Sequence, residues 1–345
     1  MIITTGVLFF RKFYDIMKKK HKILKGGKII MTGDIPSLIM LIGIPGSGKS
    51  TLAKSLAQEG YYVLSSDEIR WGLFGDGGFP ADEKEKEKIQ SAVYKVIREE
   101  AKGLLEGGRS AVIDATNLNR KKRKKLLSFF SDTPSYKKAI LLITSPEVCK
   151  KRNEIRPRGK RVPDENMEEL LRRFEVPIMG EGWDEISLII HDEEYRYPFE
   201  LLSDFSQDNP HHTLTLGEHM DAAKEYAIAH GYSDALVKIC ALHDIGKLFT
   251  KEFKSYKGEP TDTAHFYGHE NFGAYLYLAM ELCGKGRTEE EIREILYEAT
   301  LINCHMRPLT AWGDSPAAKE RDKLLFGEGF VSDIEKINAA DGSAH

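Results

Sequence analysis

The sequence predicts two domains in succession: an α/β domain built on a parallel sheet with helices on both faces, and an all-α domain. Strand and helix signals alternate between residues 38 and 190, which is typical of a parallel sheet covered by its crossover helices. The character of the sequence changes after about residue 195, and from 212 to 341 several helical segments succeed one another without a convincing strand. A chain of 345 residues is long enough for two domains of ordinary size.

Changes in composition set the expected domain boundaries. The first 30 residues hold eight Lys and Arg and one Asp, so the chain begins with a basic leader. We expect either a disordered basic arm or a start that precedes the true initiator, Met31. The predicted parts are a leader at 1–31, an α/β domain at 32–195, a polar linker at 196–211 and a helical domain at 212–345.

Composition excludes several classes of protein. The chain is 41% hydrophobic and 30% charged and has no apolar stretch of bilayer length, so we expect a cytoplasmic protein that does not enter a membrane. The net charge is −3, so no strong global field attracts nucleic acid. Four cysteines without a CxxC pair fit thiols that pack in a reducing compartment. The oligomeric state is not fixed by the sequence, and a homodimer is compatible with it.

A glycine-rich loop follows the first strand of the α/β domain. The apolar run 38–43 precedes it and a predicted helix at 49–59 follows it, which is the context of a phosphate-binding loop. Backbone N–H groups and the helix N-terminus favour phosphate there. We expect Lys49 to reach the β- and γ-phosphates of ATP and the Ser50 hydroxyl to bind Mg²⁺. The predicted ATP-binding residues of the loop are Gly43, Ile44, Pro45, Gly46, Ser47, Gly48, Lys49, Ser50 and Thr51.

Carboxylates follow the second and third strands of this domain, predicted at 61–65 and 110–114. Asp67 is placed to accept a proton from an attacking hydroxyl, and Arg70 lies one helical turn on, where it can hold an anion of the acceptor. The alternative interpretation is an N-cap Asp with an exposed Arg. At the third strand we predict that Asp114 orients Mg²⁺-bound water and that Asn117 contacts the nucleotide.

Two basic segments belong to the rest of the α/β domain, whose last strands are predicted at 139–144 and 186–190. Residues 152–161 (RNEIRPRGKR) predict a mobile lid that neutralises charge on the γ-phosphate, the alternative being a solvated loop. Its arginines are Arg152, Arg156, Arg158 and Arg161. The run from Arg120 to Lys125 begins a predicted helix at 119–130, and we expect it to form a solvated face, the alternative being a surface that follows a nucleic-acid backbone. Further helices are expected over 82–106 and after Pro146.

Together these motifs resemble the kinase domain of polynucleotide 5′-kinases. The matching pieces are GIPGSGKST, Asp67-x-x-Arg70, DATNLN at 114–119 and KRNEIRPRGKRVP at 151–163, and the resemblance covers residues 37–192. It implies that Asp67 is the general base, that Arg70 holds the phosphate next to the acceptor hydroxyl, and that two lid arginines act on the ATP phosphates. Those arginines are Arg152 and Arg156. Related small-molecule kinases share the loop and lid, so the resemblance defines the reaction better than the acceptor.

Five helical segments of the second domain each place a potential metal ligand on an apolar stripe. Inward-facing histidines and aspartates need a partner, because buried charges are costly unless they are paired or bound to metal. A His and Asp set without thiolates suits octahedral Mn²⁺, Co²⁺, Ni²⁺ or Fe²⁺ better than a closed zinc site. The candidate ligands are His219, His243, Asp244, His269, His305 and Asp341, with His212 as an alternative to His219.

This segment resembles the HD phosphohydrolase superfamily, whose signature is H…HD…D. The matching pieces are GEHM, ALHDIGK, HFYGHENFGA, LINCHMRPL and NAADG, and their layout is similar to that of bacterial HD–polynucleotide-kinase fusions. The resemblance implies that Lys247 contacts substrate phosphate and that His269 and His305 hold a second metal. The first metal would be bound by His219, His243, Asp244 and Asp341.

Three functions remain open on this basis. The leading hypothesis is an end-healing enzyme that acts on nucleic-acid ends, RNA favoured over DNA, as a 5′-hydroxyl kinase and a 2′,3′-cyclic or 3′-phosphate phosphohydrolase. The second is a small-molecule or nucleoside kinase fused to an HD hydrolase of nucleotides or phosphomonoesters. The third is an ATP-binding switch with a non-catalytic HD sensor, against which Asp67 and the full ligand set argue.

Overall fold

The computed structural model describes residues 35–75, 82–157, 160–210, 213–313 and 315–344, together with the backbone of a hairpin of two short strands, β1 (Leu24–Lys25) and β2 (Lys28–Ile29). Most of the predicted leader, Arg158 and His212 lie outside the described residues. Among the described helices, none combines the length and the apolar character needed to cross a bilayer.

Five parallel strands form the central sheet, in the order β4-β5-β3-β6-β7. The strand at its centre is buried on both faces, because the crossover helices of a parallel sheet cover it. The strands are β3 (Ser37–Ile42), β4 (Tyr62–Ser65), β5 (Ala111–Asp114), β6 (Tyr136–Ile143) and β7 (Glu185–Ile190). The helices are α1 (Lys49–Gln58), α2 (Ser66–Phe74), α3 (Glu83–Glu106), α4 (Arg120–Phe129), α5 (Pro146–Glu154) and α6 (Asp164–Leu171). The predicted parallel sheet is thus confirmed.

The second half is mainly helical, as predicted. Its helices are α7 (Leu216–Ala229), α8 (Asp234–Cys240), α9 (His269–Leu282), α10 (Glu289–Cys304), α11 (Pro316–Phe326) and α12 (Glu328–Ser343). The expectation of no strand after residue 212 is wrong at one place, where β8 (Glu252–Lys254) pairs antiparallel with β9 (Pro260–His265). Short turns of 3₁₀ or π helix lie at Met179–Glu181, Phe199–Leu201, Ile245–Phe249 and Pro308–Trp312.

The two halves pack directly on one another. A single cluster of buried apolar side chains runs through both. The hydroxyl of Tyr275 on α9 donates to the Thr144 carbonyl oxygen at the end of β6, over 2.8 Å. The segment predicted as a linker is also packed, since the Tyr197 hydroxyl donates to the Ile245 carbonyl oxygen over 2.7 Å and Leu202 is buried. The polar segment therefore packs into the core and is not an exposed connection between the two halves.

The basic run on α4 forms the expected solvated face at four of its six residues, and the expectation is wrong at the other two. Arg120 and Arg123 are buried, and Arg123 forms a 2.6 Å ion pair with Glu181. Arg120 also donates to Asn303 of α10, over 3.3 Å. Two of the six basic residues therefore belong to a buried ionic network between the halves, because acidic partners far along the chain satisfy them.

Candidate functional site

The glycine-rich loop lies between β3 and α1, at the carboxyl edge of the sheet. Gly46 and Gly48 have φ angles of 85° and 99°, which favour glycine. A Cβ atom at Gly46 would lie 2.4 Å from the Cys149 carbonyl oxygen, so a side chain is also sterically excluded. The predicted strand–loop–helix context is therefore confirmed, and the loop presents its backbone at the start of α1.

Lys49, Ser50 and Asp114 gather around this loop. The Lys49 ammonium donates to the Ile44 carbonyl oxygen over 2.8 Å, and burial lowers the pKa of Lys49 to about 8 although Asp114 and Asp67 oppose the shift. Burial raises the pKa of Asp114, against the opposing effects of Lys49 and of a hydrogen bond with the Ser50 side chain. The predicted phosphate-binding cation and the two predicted Mg²⁺-site oxygens thus share one location.

Asp67 and Arg70 lie on α2, directly after β4. The Arg70 guanidinium donates to the Asp67 carboxylate over 2.8 Å, and the Asp67 side chain is 46% exposed. The alternative interpretation of Asp67 as an N-cap is wrong, because Ser65 is the N-cap and its hydroxyl accepts from the backbone N–H of Glu68. Asp67 is thus an accessible carboxylate close to Lys49, paired with a neighbouring cation.

Arg152, in the last turn of α5, contacts the phosphate-binding loop. Its guanidinium donates to the Gly46 carbonyl oxygen over 3.3 Å and lies 2.7 Å from Nε2 of His191. Arg156 lies near enough to Lys49 to lower the pKa of that ammonium. Asn153, the next residue of α5, holds the basic segment that follows this helix. It donates to the Val162 carbonyl oxygen over 2.6 Å and accepts from the Val162 N–H over 3.0 Å.

One predicted site residue has a structural role, and one residue near the site was not predicted. The Asn117 amide donates to the carbonyl oxygens of Leu41 and Ala115, over 2.8 and 3.3 Å, so it holds β3 and β5 together, and its contact with a nucleotide stays a prediction. His191 was missed by the sequence reasoning. Its position at the end of β7, at the carboxyl edge of the sheet, is the signal that points to it.

Six side chains converge in the helical half, with Asp244 at their centre. Its Oδ2 lies 3.2 Å from His219 Nε2 and 3.3 Å from His243 Nε2, and both nitrogens lie 3.1–3.4 Å from Asp341 Oδ1. Its Oδ1 lies 3.1 Å from His269 Nε2 and 3.6 Å from His305 Nε2. Two groups of potential ligand atoms therefore share one carboxylate, as in a site for two ions.

Backbone carbonyl oxygens orient all four histidine rings. Each Nδ1 lies 2.7–2.9 Å from a carbonyl oxygen, which can only accept a hydrogen bond. Each Nδ1 therefore carries a proton, and each ring directs its Nε2 atom into the cluster. The partner oxygens belong to Ala344 for His219, Cys240 for His243, Phe266 for His269 and Ile302 for His305.

This donor set fits divalent cations. His269 and His305 point their Nε2 atoms at each other over 3.1 Å, an arrangement that repels unless a positive charge lies near both. The Nε2 atom of His243 is buried. Asp244 Oδ2 lies 3.3 Å away, but Nε2 makes no hydrogen bond of acceptable geometry with any described residue. Burial disfavours the imidazolium, yet Asp244 and Asp341 raise the pKa of His243 to about 10. The cluster therefore attracts positive charge, which a metal ion can supply.

Lys247 closes the cluster on one side. Its ammonium lies 2.7 Å from Asp244 Oδ2 and donates to the Gln207 side-chain oxygen over 3.0 Å. Gln207 is buried and comes from the segment predicted as a linker. Sequence reasoning missed it because a single glutamine in a polar stretch carries no pattern.

Comparison with known proteins places the first half among kinases. Residues 38–177 match the AAA domain family. The chain is 25% identical over 249 residues to the L-seryl-tRNA(Sec) kinase of Methanococcus maripaludis, which covers 65% of this chain and 93% of that protein. It is 29% identical over 151 residues to the adenylyl-sulfate kinase of Shewanella pealeana, covering 42% of this chain and 68% of that protein.

A third relative is named for two activities, a phosphatase and a kinase. The bifunctional polynucleotide phosphatase/kinase of Schizosaccharomyces pombe is 26% identical over 172 residues, which cover 49% of this chain and 35% of that protein. All three relatives are kinases, and the phosphate-binding loop lies within the matched residues 38–177. The first half of the chain is therefore similar to P-loop kinase domains.

Proposed function

We propose that the protein repairs broken nucleic-acid ends, with a kinase site at the sheet and a phosphohydrolase site in the helical half. The observation that carries this proposal is the coexistence of two sites of different chemistry, a phosphate-binding loop beside Asp67 and a buried His–Asp cluster centred on Asp244. The kinase domain takes residues 32–195 and the phosphohydrolase domain takes residues 212–345.

The kinase site supports transfer of the γ-phosphoryl group of ATP to a hydroxyl. Lys49 and the loop N–H groups would hold the phosphates, and Ser50 and Asp114 would hold Mg²⁺ and its water, where Mg²⁺ would neutralise charge. Asp67 accepts the proton of the attacking hydroxyl while the new P–O bond forms and ADP leaves. Arg152 lies against the loop, where it stabilises the charge of the transferring group.

A polynucleotide 5′-end is the acceptor that we favour. Arg70 pairs with Asp67 at 2.8 Å, so an acceptor with an anion beside its hydroxyl can replace this ion pair and engage both residues. The similarity to a polynucleotide phosphatase/kinase supports this choice. The similarity to an adenylyl-sulfate kinase supports a small-molecule acceptor as the second candidate.

The helical half supports hydrolysis of a phosphate ester. His219, His243, Asp244 and Asp341 would hold one divalent ion of the Mn²⁺, Co²⁺, Ni²⁺ or Fe²⁺ class, and Asp244, His269 and His305 a second. Such ions supply Lewis acidity toward a phosphate ester. Lys247 adds a fixed positive charge beside Asp244, where it can bind a phosphate oxygen. A 2′,3′-cyclic or 3′-phosphate end is the ester that we propose.

One pair of assays tests the proposal. Purified protein is incubated with γ-labelled ATP and 5′-hydroxyl RNA, 5′-hydroxyl DNA, nucleosides and sugars, and separately with cyclic and 3′-phosphate ends plus Mn²⁺, Co²⁺ or Ni²⁺. We expect label on oligonucleotides, RNA above DNA, and phosphate release from the second set. Label on nucleosides or sugars alone would favour the second candidate. The absence of both reactions would favour an ATP-binding switch.

A further inference from the structure

One face of α2 carries more than Asp67 and Arg70. Trp71 and Phe74 follow at the fourth and seventh positions after Asp67, so all four side chains share one side of the helix. Trp71 is 43% exposed and Phe74 is 47% exposed. Two large aromatic rings are therefore accessible beside the proposed general base and the proposed phosphate-binding arginine.

Lys160, in the basic segment that follows α5, lies beside one of these rings. The Lys160 ammonium lies 5.4 Å from the centroid of the Trp71 ring, at cation–π distance. Arg152, which contacts the phosphate-binding loop, lies on α5, eight residues before Lys160. The exposed ring of Trp71 therefore has a positive side chain beside it and lies on the same face of α2 as Asp67 and Arg70.

Exposure of an aromatic ring has an ordinary explanation, since single apolar side chains are common on surfaces. The chain contains a matched case in Tyr62, which is 46% exposed and lies under Arg109 at 4.9 Å. Tyr62 begins β4, whereas Trp71 follows the end of that strand. Tyr62 thus lies at the amino edge of the sheet, away from the phosphate-binding loop. Location beside reactive groups distinguishes Trp71 from it.

We propose that Trp71 stacks on the base of the 5′-terminal nucleotide of the acceptor, an inference that rests on the proposed kinase function. One nucleotide carries a 5′-hydroxyl, a base and a 3′-phosphate on a single sugar, and α2 offers a matching group to each. Asp67 takes the hydroxyl, Arg70 takes the phosphate and Trp71 takes the base. Stacking tolerates any base, which suits an enzyme that must accept ends of any sequence.

The test compares a 5′-hydroxyl oligonucleotide with the same strand ending in an abasic 5′-residue. We expect Trp71→Ala to raise KM for the normal strand on the order of tenfold, the range of a lost base–aromatic stack, and to change KM for the abasic strand less than twofold. Trp71→Phe restores most of the loss. Tyr62→Ala, the matched control, changes neither value, and KM for ATP stays constant in all variants.

A parallel binding measurement separates this inference from the proposed function. Calorimetry compares uridine 3′-monophosphate with ribose 3-phosphate on the wild type and on Trp71→Ala. A wild-type preference for the nucleotide that the variant loses supports stacking even if no phosphate is transferred to an oligonucleotide. Equal binding of both ligands by both proteins, or equal KM changes on normal and abasic strands, overturns the stacking role and leaves the kinase proposal intact.

Discussion

The two candidate sites satisfy their polar groups in opposite ways. At the phosphate-binding loop the protein supplies a partner for each principal charge: Lys49 donates to Ile44, Arg152 to Gly46, and Arg70 to Asp67. In the His–Asp cluster, acceptors face acceptors, as the 3.1 Å contact between the Nε2 atoms of His269 and His305 shows. A substrate replaces existing partners at the first site, whereas a cation completes the second.

The two sites also differ in how far their carboxylates are buried. The Asp67 side chain is 46% exposed, while the Asp244 side chain is only 2% exposed. An exposed ion pair is worth little in stability, whereas an uncompensated buried charge is costly. The proposed kinase site is therefore a recognition surface, whereas the cluster is a structural as well as a chemical element.

The largest effect is expected from Asp244→Ala, because one carboxylate is shared by both groups of ligand atoms. The variant should lose bound metal and reduce phosphohydrolysis to background, while kinase activity changes less than threefold. Elemental analysis and the two end-specific assays measure this. Asp208→Asn, an exposed aspartate of the same half, is the control and should retain metal. Full metal content in Asp244→Ala would contradict the proposed centre.

Removal of the kinase machinery should leave the cluster unaffected. Lys49→Ala and Asp67→Ala each lose phosphate binding or proton transfer, and we expect phosphoryl transfer to fall about 10²–10⁴-fold for Asp67→Ala. Phosphohydrolysis and metal content should stay within twofold of the wild type. Equal loss of both activities in both variants would show that the two sites are not separate.

Arg70→Ala should weaken the acceptor more than ATP. Loss of one charge-assisted hydrogen bond corresponds to about 10–100-fold in KM for an acceptor with a 3′-phosphate. An acceptor without that phosphate, and ATP hydrolysis in the absence of acceptor, should change far less. Arg109→Ala at the amino edge of the sheet is the matched control. Steady-state kinetics with unchanged acceptor KM would remove Arg70 from the site.

Metal uptake by the cluster should release protons. Burial lowers the pKa of His243, but Asp244 and Asp341 outweigh it and raise that pKa to about 10, so in the metal-free protein this ring is protonated at neutral pH and the proton must leave when an ion binds. Metal affinity should therefore rise between pH 6 and 9, by about tenfold per pH unit for each proton released. Calorimetry in buffers of different ionisation enthalpy counts the protons. Affinity independent of pH would contradict this, and His230→Gln on the surface should not alter it.

Sequence reasoning succeeded where a local pattern carries the chemistry. Three features could be predicted because their spacing follows strand or helix periodicity. They are the phosphate-binding loop, the carboxylates at the C-terminal ends of β4 and β5, and the six potential ligands that converge. The carbonyl oxygens that orient the histidines were not readable, because any residue supplies a carbonyl. Ala344 is an example, since only the return of α12 to α7 places its oxygen near His219.

The errors have a common physical cause. Arg120 and Arg123 looked solvated because their partner Glu181 lies far along the chain. The strand β9 was not predicted because its sequence, PTDTAH, is mostly polar and Ala264 is its one buried residue. The linker was predicted from its polar composition, and Gln207 within it is buried by contacts that no local period reveals. Local patterns report exposure well only when a residue and its partners are near in sequence.

The smallest effect is expected at the contact that joins the two sites. Tyr275 lies on α9, which begins with His269, and its hydroxyl donates to Thr144, whose own hydroxyl donates to the Ser47 carbonyl oxygen over 3.3 Å. Tyr275→Phe removes one hydrogen bond but keeps the ring, so the free energy of unfolding should fall by about 1 kcal/mol. Because each site has its own local partners, both activities should stay within twofold of the wild type, as denaturant unfolding and the two end-specific assays would show. A large fall in either activity at unchanged stability would instead mean that α9 couples the loop to the cluster, and the two sites would then have to be treated as one system.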